Sequence, residues 1–295
     1  MQMARTAASL FLLLAAAAAC AQNPEGCHEG TGAFERRIEG YTLRATVVPD
    51  VENEYVCRAV LLDRHNAEVF SASDVWMKVD PVTGESVAND GVPSLVLEGY
   101  SGGAHCCWTY WILSVGTQAE LIRKIENQTS IGFKHEKSGR IVLVTADGAF
   151  DYFDGLPHAY SPMPAVYLEL SGRGLNDVGA RFQSEYDKTI AAAREQLPAT
   201  RLVSFRNGAP PVSTTSKDEQ QWEDEDRWFA TKSLVLSVVL SYLYSGREKQ
   251  GWNALDEMWP TADRERIGSL IIETRKRGVL AVLMSENAGR AQRTH

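Results

Sequence analysis

The chain has 295 residues, 44% of them hydrophobic and 23% charged, with a formal net charge of −8. That balance excludes an intrinsically disordered chain and allows a real buried core in one or two domains. An acidic chain gains nothing from counterion release on a polyphosphate, which argues against nucleic-acid binding.

The first twenty-one residues have the layout of an export signal. Arg5 is a short positive region, Leu10 to Ala19 is an uncharged apolar run, and small residues close it at Ala19-Cys20-Ala21. The run is too short and too alanine-rich for a lasting membrane span. Ala17-Ala18-Ala19-Cys20 also resembles a bacterial lipobox, in which Cys20 would be lipidated and become the mature N-terminus. The other reading is ordinary cleavage after Ala21. The protein is therefore read as exported, to the periplasm or as an outer-membrane-attached lipoprotein. Contact with the membrane would come only through an acyl chain on Cys20.

Setting Cys20 aside leaves Cys27, Cys57, Cys106 and Cys107. An even number in an oxidising compartment reads as two disulfides. Adjacent cysteines on a strand point to opposite faces. Cys106 and Cys107 are thus expected to form two bridges leaving in different directions, with Cys27 and Cys57 as the available partners in either order.

Residues 22–36 read as a polar, Gly-rich linker and residues 37–174 as an antiparallel β-domain. Within it Tyr41, Leu43, Ala45 and Val47 alternate with polar residues, as do Val75, Met77 and Val79. Further strands are expected over 54–62, 95–98, 106–115, 120–125, 129–133, 141–145 and 165–170. Turn clusters at Asn89-Asp90-Gly91, Ser101-Gly102-Gly103, Ser138-Gly139, Asp147-Gly148 and Asp154-Gly155 separate them. Short connections without helices predict a meander folded as a sandwich, a barrel or propeller-like blades.

Residues 175–295 read as a small helical domain, which makes the fold class α+β. Asn176 or Asp177 is expected to cap a helix reaching Leu197, and 201–217 reads as a loop. An acidic opening at Glu223 to Asp226 begins a helix to Tyr244. Fourteen uncharged residues separate Lys232 from Arg247, fewer than the about 20 a span needs, so this reads as a buried core helix. A short helix at 252–258 and one from Thr261 to Gly278 follow. Tyr242, Gly246, Gly251, Leu255 and Met258 fall roughly where a tetratricopeptide repeat places its turn and packing residues. One hairpin is not an array, and a generic helical pair is the preferred reading.

Candidate chemistry concentrates in Gly99 to Trp108. Gly99-Tyr100-Ser101-Gly102-Gly103 matches the G-x-S-x-G nucleophile elbow, and Asp147, Asp151 and Asp154, then His158, follow in the serine–acid–histidine order of α/β-hydrolases. An elbow needs a helix after the serine, yet the residues after Cys106 are strand formers. His105, Cys106 and Cys107 are soft ligands, but adjacent cysteines chelate a tetrahedral ion poorly. The preferred reading is structural: a tight Gly-rich connection with stapling cysteines, whose exposed Ser101, Gly102, Gly103 and His105 could form a ligand loop. Asp147, Asp151 and Asp154 with interleaved aromatics suit a calcium or carbohydrate site, but Asp-Gly pairs are commonly plain turns.

The run from Asp80 through Asn89-Asp90-Gly91-Val92-Pro93 to Ser101-Gly102-Gly103-Ala104-His105-Cys106-Cys107 resembles a group of uncharacterised exported bacterial proteins. Phe150-Asp151-Tyr152-Phe153-Asp154 and Ser161-Pro162-Met163-Pro164 extend the resemblance, which spans about residues 75 to 170. It implies compartment and fold, and no chemistry. The Asp-Gly turns before hydrophobic strands are also weakly similar to FG-GAP propeller blades, without their calcium loop. Together these readings predict an exported binding or interaction module with no cofactor and no metal, whose partner is an envelope protein or a small ligand. A serine hydrolase using Ser101, Asp154 and His158 is the first alternative, and a metal protein using His105, Cys106 and Cys107 the second.

Overall fold

The computed structural model describes residues 26–28, 30, 33–103, 106–208, 219–283 and 285. The expected leader, Cys20 and His105 lie outside these residues.

Three antiparallel sheets precede a group of helices. Sheet I contains β2 (Phe34–Ile38), β3 (Tyr41–Pro49), β4 (Tyr55–Leu62) and β5 (Glu68–Asp74), paired in that order. Sheet II contains β6 (Trp76–Val79), β7 (Ser94–Gly103), β8 (Cys106–Val115) and β9 (Ala119–Asn127). The two-residue β1 (Gly26–Cys27) is added on the β6 side. Sheet III contains β10 (Gly132–His135), β11 (Ile141–Ala146), β12 (Ala165–Ser171) and β13 (Gly174–Asp177). Each sheet is thus a meander of four sequential strands. This is the connectivity of propeller-like blades, and no barrel closes among the described residues.

Sheet II is buried on both faces. Leu95, Leu97, Trp111 and Leu113 on one face pack with Leu43, Ala45, Ala59 and Leu61 of sheet I. Val96, Tyr110 and Ile112 on the other face join Leu143, Leu168 and Leu170 of sheet III. A strand covered on both sides reads as a continuous apolar run rather than an alternation, as Leu95-Val96-Leu97 does. Truncating one such residue, for example Leu97→Ala, should cost about 2–5 kcal/mol. The second face also buries polar groups, among them Glu98, 3% exposed, which is met by Lys78 Nζ at 3.0 Å. Burial pushes the Glu98 carboxyl up in spite of the lysine.

The helices are α1 (Gln183–Glu195), α2 (Ala199–Asn207), α3 (Glu219–Tyr244), α4 (Glu248–Met258) and α5 (Arg264–Lys276). Tyr167 of β12 stacks on Phe182 at 4.3 Å, and the Tyr186 hydroxyl donates to the Ala165 carbonyl, which seats α1 against sheet III. Val235, Leu236, Val238, Val239 and Leu240 of α3 are fully buried, as expected for a core helix. No described helix is long and apolar enough to cross a membrane. A Cβ at Gly251 would lie 2.5 Å from Leu243 Cδ2, so the glycine lets α4 approach α3 closely. One buried cluster runs from sheet II through sheet III into the helices, so β and α parts share a core.

Several expectations are corrected. The presumed linker contributes β1 and the start of β2. Residues 174–177 form β13, and Asp177 accepts from Gly179 N at 2.8 Å to cap a 3-10 turn ahead of α1. Residues through Asn207 are helical, because Phe205 has a burial site against Trp228 and Trp259. Strand β5 lies outside the expected strands, since Phe70 and Ala72 are the only apolar residues in it that turn inward among the described residues.

The cysteine pairing is also corrected. Cys27 bridges Cys57, with Cα atoms 5.8 Å apart. Pairing of Cys27 with Met77 places β1 in sheet II, and its side chain then faces Cys57 across the sheet I interface. Cys107 is itself disulfide-bonded. Its partner is neither Cys27 nor Cys57, which hold one another.

Candidate functional site

The Gly99-x-Ser101-x-Gly103 segment is the end of β7 and leads into β8, a strand, so no helix N-terminus stands behind Ser101. Two glycines have separate structural causes. A Cβ at Gly99 would lie 2.5 Å from Asp74 Oδ2 and 2.8 Å from Trp111 Cζ3, so a side chain is excluded there. Gly102 has φ +85° where the β7–β8 register shifts, a conformation that favours glycine. Ser101 Oγ accepts from Cys107 N at 2.9 Å, which makes the hydroxyl a turn-forming group.

Nor does the structure assemble the alternative triad of Ser101, Asp154 and His158. His158 Nδ1 lies 2.7 Å from Asp151 Oδ1, so its carboxylate partner is Asp151 and not Asp154. The Ser161 hydroxyl donates to the same oxygen at 3.0 Å, where it cannot serve as a nucleophile activated by that histidine. Asp154 instead receives Lys232 Nζ at 2.7 Å and both terminal nitrogens of Arg266 at 2.6 and 2.9 Å. Burial alone would raise the Asp154 carboxyl, but the Arg266 and Lys232 hydrogen bonds and charges outweigh it and hold it below the usual carboxylate range.

The three aspartates expected as a turn or ligand cluster therefore separate. Asp147, 1% exposed, accepts from the Tyr244 hydroxyl at 2.6 Å and from Ala149 N and Val279 N. Asp151 organises its own loop, and Asp154 clamps the loop to α3 and α5. Among the described residues no group of His, Cys, Asp or Glu is placed to hold a metal. The disulfide at Cys107 also removes the thiolate that a metal would need.

What the 147–152 loop does build is one wall of a cleft of about 1200 Å³. A second wall is the edge strand β9, which contributes Lys124 to Asn127, with Gln128 following it. The third wall is Arg277, Val279, Val282 and Leu283, beyond the end of α5. Cys107 and Thr109 of β8 also line the cleft, so the Gly-rich hairpin stands at its margin. Tyr152 projects from the loop 53% exposed, with φ +52°, a left-handed conformation that is costly for a bulky residue.

The charges of the cleft are mostly satisfied internally. Lys124 Nζ donates to Glu126. Asp147 and Asp151 are engaged as described. Arg277 is exposed, and its guanidinium makes no ion pair or hydrogen bond among the described residues. Of the expected ligand-loop residues, Ser101, Gly102 and Gly103 are exposed at the hairpin end.

Sequence reasoning missed Lys124, Arg277, Val279, Val282 and Leu283, which line one cleft only because the 147–152 loop packs against both Gln128 and Gly278. In the sequence Arg277 is the last of three consecutive basic residues, Arg275-Lys276-Arg277, which suit the C-terminal end of a helix dipole. Arg275 and Lys276 do pair, with Glu248 and Glu273. No known protein family, curated protein or solved structure matches the chain.

Proposed function

We propose that this is an exported binding module of the cell envelope, without catalytic activity of its own, whose ligand seats in the cleft between β9, the 147–152 loop and residues 277–283. The observation that carries the reading is the cleft itself. It is large enough for a ligand and joins apolar Val279, Val282 and Leu283 to an exposed aromatic and to a cationic group that is unpaired among the described residues. The left-handed backbone at Tyr152 supports it, because such conformations persist where surrounding structure enforces them and cluster at ligand sites. The Cys27–Cys57 bridge is compatible with an oxidising compartment. Lipidation at Cys20 belongs to the same proposal. Mass spectrometry of the native N-terminus should find an acylated Cys20, and a free N-terminus at Gln22 would refute the anchor.

A photo-reactive phenylalanine placed at Tyr152 in cells should crosslink a discrete ligand or partner. The same residue at Val51, fully exposed on the β3–β4 turn, should not. Equal crosslinking at both positions would refute the cleft. The hydrolase alternative has less support, since a strand follows Ser101. Covalent labelling of Ser101 by a fluorophosphonate probe would restore it.

A further inference from the structure

Resting on the cleft as the binding site, we infer that its ligand is an extended peptide segment bearing a carboxylate, added as a strand along the edge of β9 that lies away from β8. Three observations converge on this class. First, among the described residues β9 is the last strand of sheet II and pairs only with β8. Second, five consecutive residues, Lys124 to Gln128, line the cleft. Side chains of successive strand residues point to opposite faces, so the run of four β9 residues, Lys124 to Asn127, along one cleft means that the strand edge faces it. From Arg123 to Asn127 the β8–β9 register is unbroken, the bulge lying beyond it at Ile112/Leu113. An open regular edge is a template for main-chain hydrogen bonding by another strand.

The third observation is charge. Every acid lining the cleft already has a donor or cation partner, and Lys124 is held by Glu126. Arg277 alone among the lining charges makes no polar side-chain contact with described residues. Its planar fork suits a carboxylate. Val282, 48% exposed, and Leu283 supply an apolar wall beside it for a neighbouring side chain. A neutral saccharide would use the aromatic of Tyr152 but would leave both the strand edge and Arg277 unused.

The test uses the full mature chain and a five-residue acetylated, amidated peptide library with glutamate fixed at the centre, with hydrogen exchange at residues 124–128 as the site readout. Retained peptides should slow exchange there. N-methylation of alternate peptide amides should weaken binding about tenfold or more, since each methyl removes a donor from the ladder. Arg277→Ala should weaken it by a similar factor. Arg277→Glu should transfer preference to a lysine-centred library, a gain that no folding defect could mimic.

Equal affinity of N-methylated peptides would overturn strand addition. No retention from the library, with maltotetraose protecting the cleft, would overturn the peptide class while leaving the cleft as the site. No retention and no protection by either probe would remove both readings. Binding seen only after deleting residues 286–295 would assign the edge to the chain's own C-terminus and overturn an external partner.

Discussion

The Tyr244 hydroxyl donates to Asp147 Oδ2 at 2.6 Å across 97 positions of sequence, joining the end of α3 to the loop that follows β11. Burial, with the neighbouring carboxylate, pushes the Tyr244 phenol well up, so it stays a donor at any working pH. The contact matters because the same loop then forms a wall of the cleft. Gly278, which leads into the opposite wall, passes so close that a Cβ there would collide with the Asp147 carboxylate.

Tyr244→Phe removes one of three donors from a buried carboxylate. Stability should fall by about 1.5–3 kcal/mol, as for hydrogen bonds to charged groups. Urea unfolding followed by tryptophan fluorescence would measure it. A loss below about 0.5 kcal/mol would mean that Asp147 is satisfied without the phenol.

Asp154 gives a pH prediction. Its folded pKa lies below the unfolded value of about 3.9, so its contribution is complete above that value and disappears as pH falls through the folded pKa. Asp154→Asn leaves Lys232, whose side chain is 10% exposed, without its anion. The cost should be about 3 kcal/mol at pH 7. Unfolding midpoints of the two proteins, measured from pH 6 to pH 2, should converge at the acid end. A constant difference across that range would show that charge is not the cause.

Glycine at position 99 is a packing requirement, whereas Ser101 is dispensable. Gly99→Ala should destabilise by about 1–3 kcal/mol, because Asp74 and Trp111 must both move. Ser101→Ala loses an exposed turn bond to Cys107 N and should cost under about 1 kcal/mol. Thermal melts of the two variants side by side decide this, and the reverse order would contradict the packing argument.

The bridge between Cys27 and Cys57 closes a sequence separation of 30 residues. Replacing both cysteines by alanine should cost about 2–4 kcal/mol and free β1 from the edge of sheet II. Non-reducing peptide mapping should recover a Cys27–Cys57 linked peptide. Linkage of either residue to Cys106 or Cys107 would overturn the pairing.

The sequence by itself determined the class of the fold and most of its elements. Period-two alternation marked β3 and β6, runs of apolar, aromatic and β-branched residues marked β8, β11 and β12, and the apolar stretch flanked by Lys232 and Arg247 marked α3, because those patterns reflect burial of one face, of both faces or of a helix. Asn89 shows the next level. It was legible as a turn residue, but only the folded chain reveals its amide clasping Ile141 and the Leu170 carbonyl.

Tertiary structure alone decided the rest. The partner of Cys27 depended on β1 joining sheet II, a two-residue strand with no periodicity of its own. The carboxylate partner of His158 depended on a loop in which Asp151 and Asp154 are equally plausible by spacing. Lys124 and Arg277 are unremarkable surface cations in the sequence. They share a cleft because the loop at Asp147 and Gly148 packs against Gly278 beyond α5 on one side and against Gln128 beyond β9 on the other, and the first of these contacts joins residues more than a hundred positions apart.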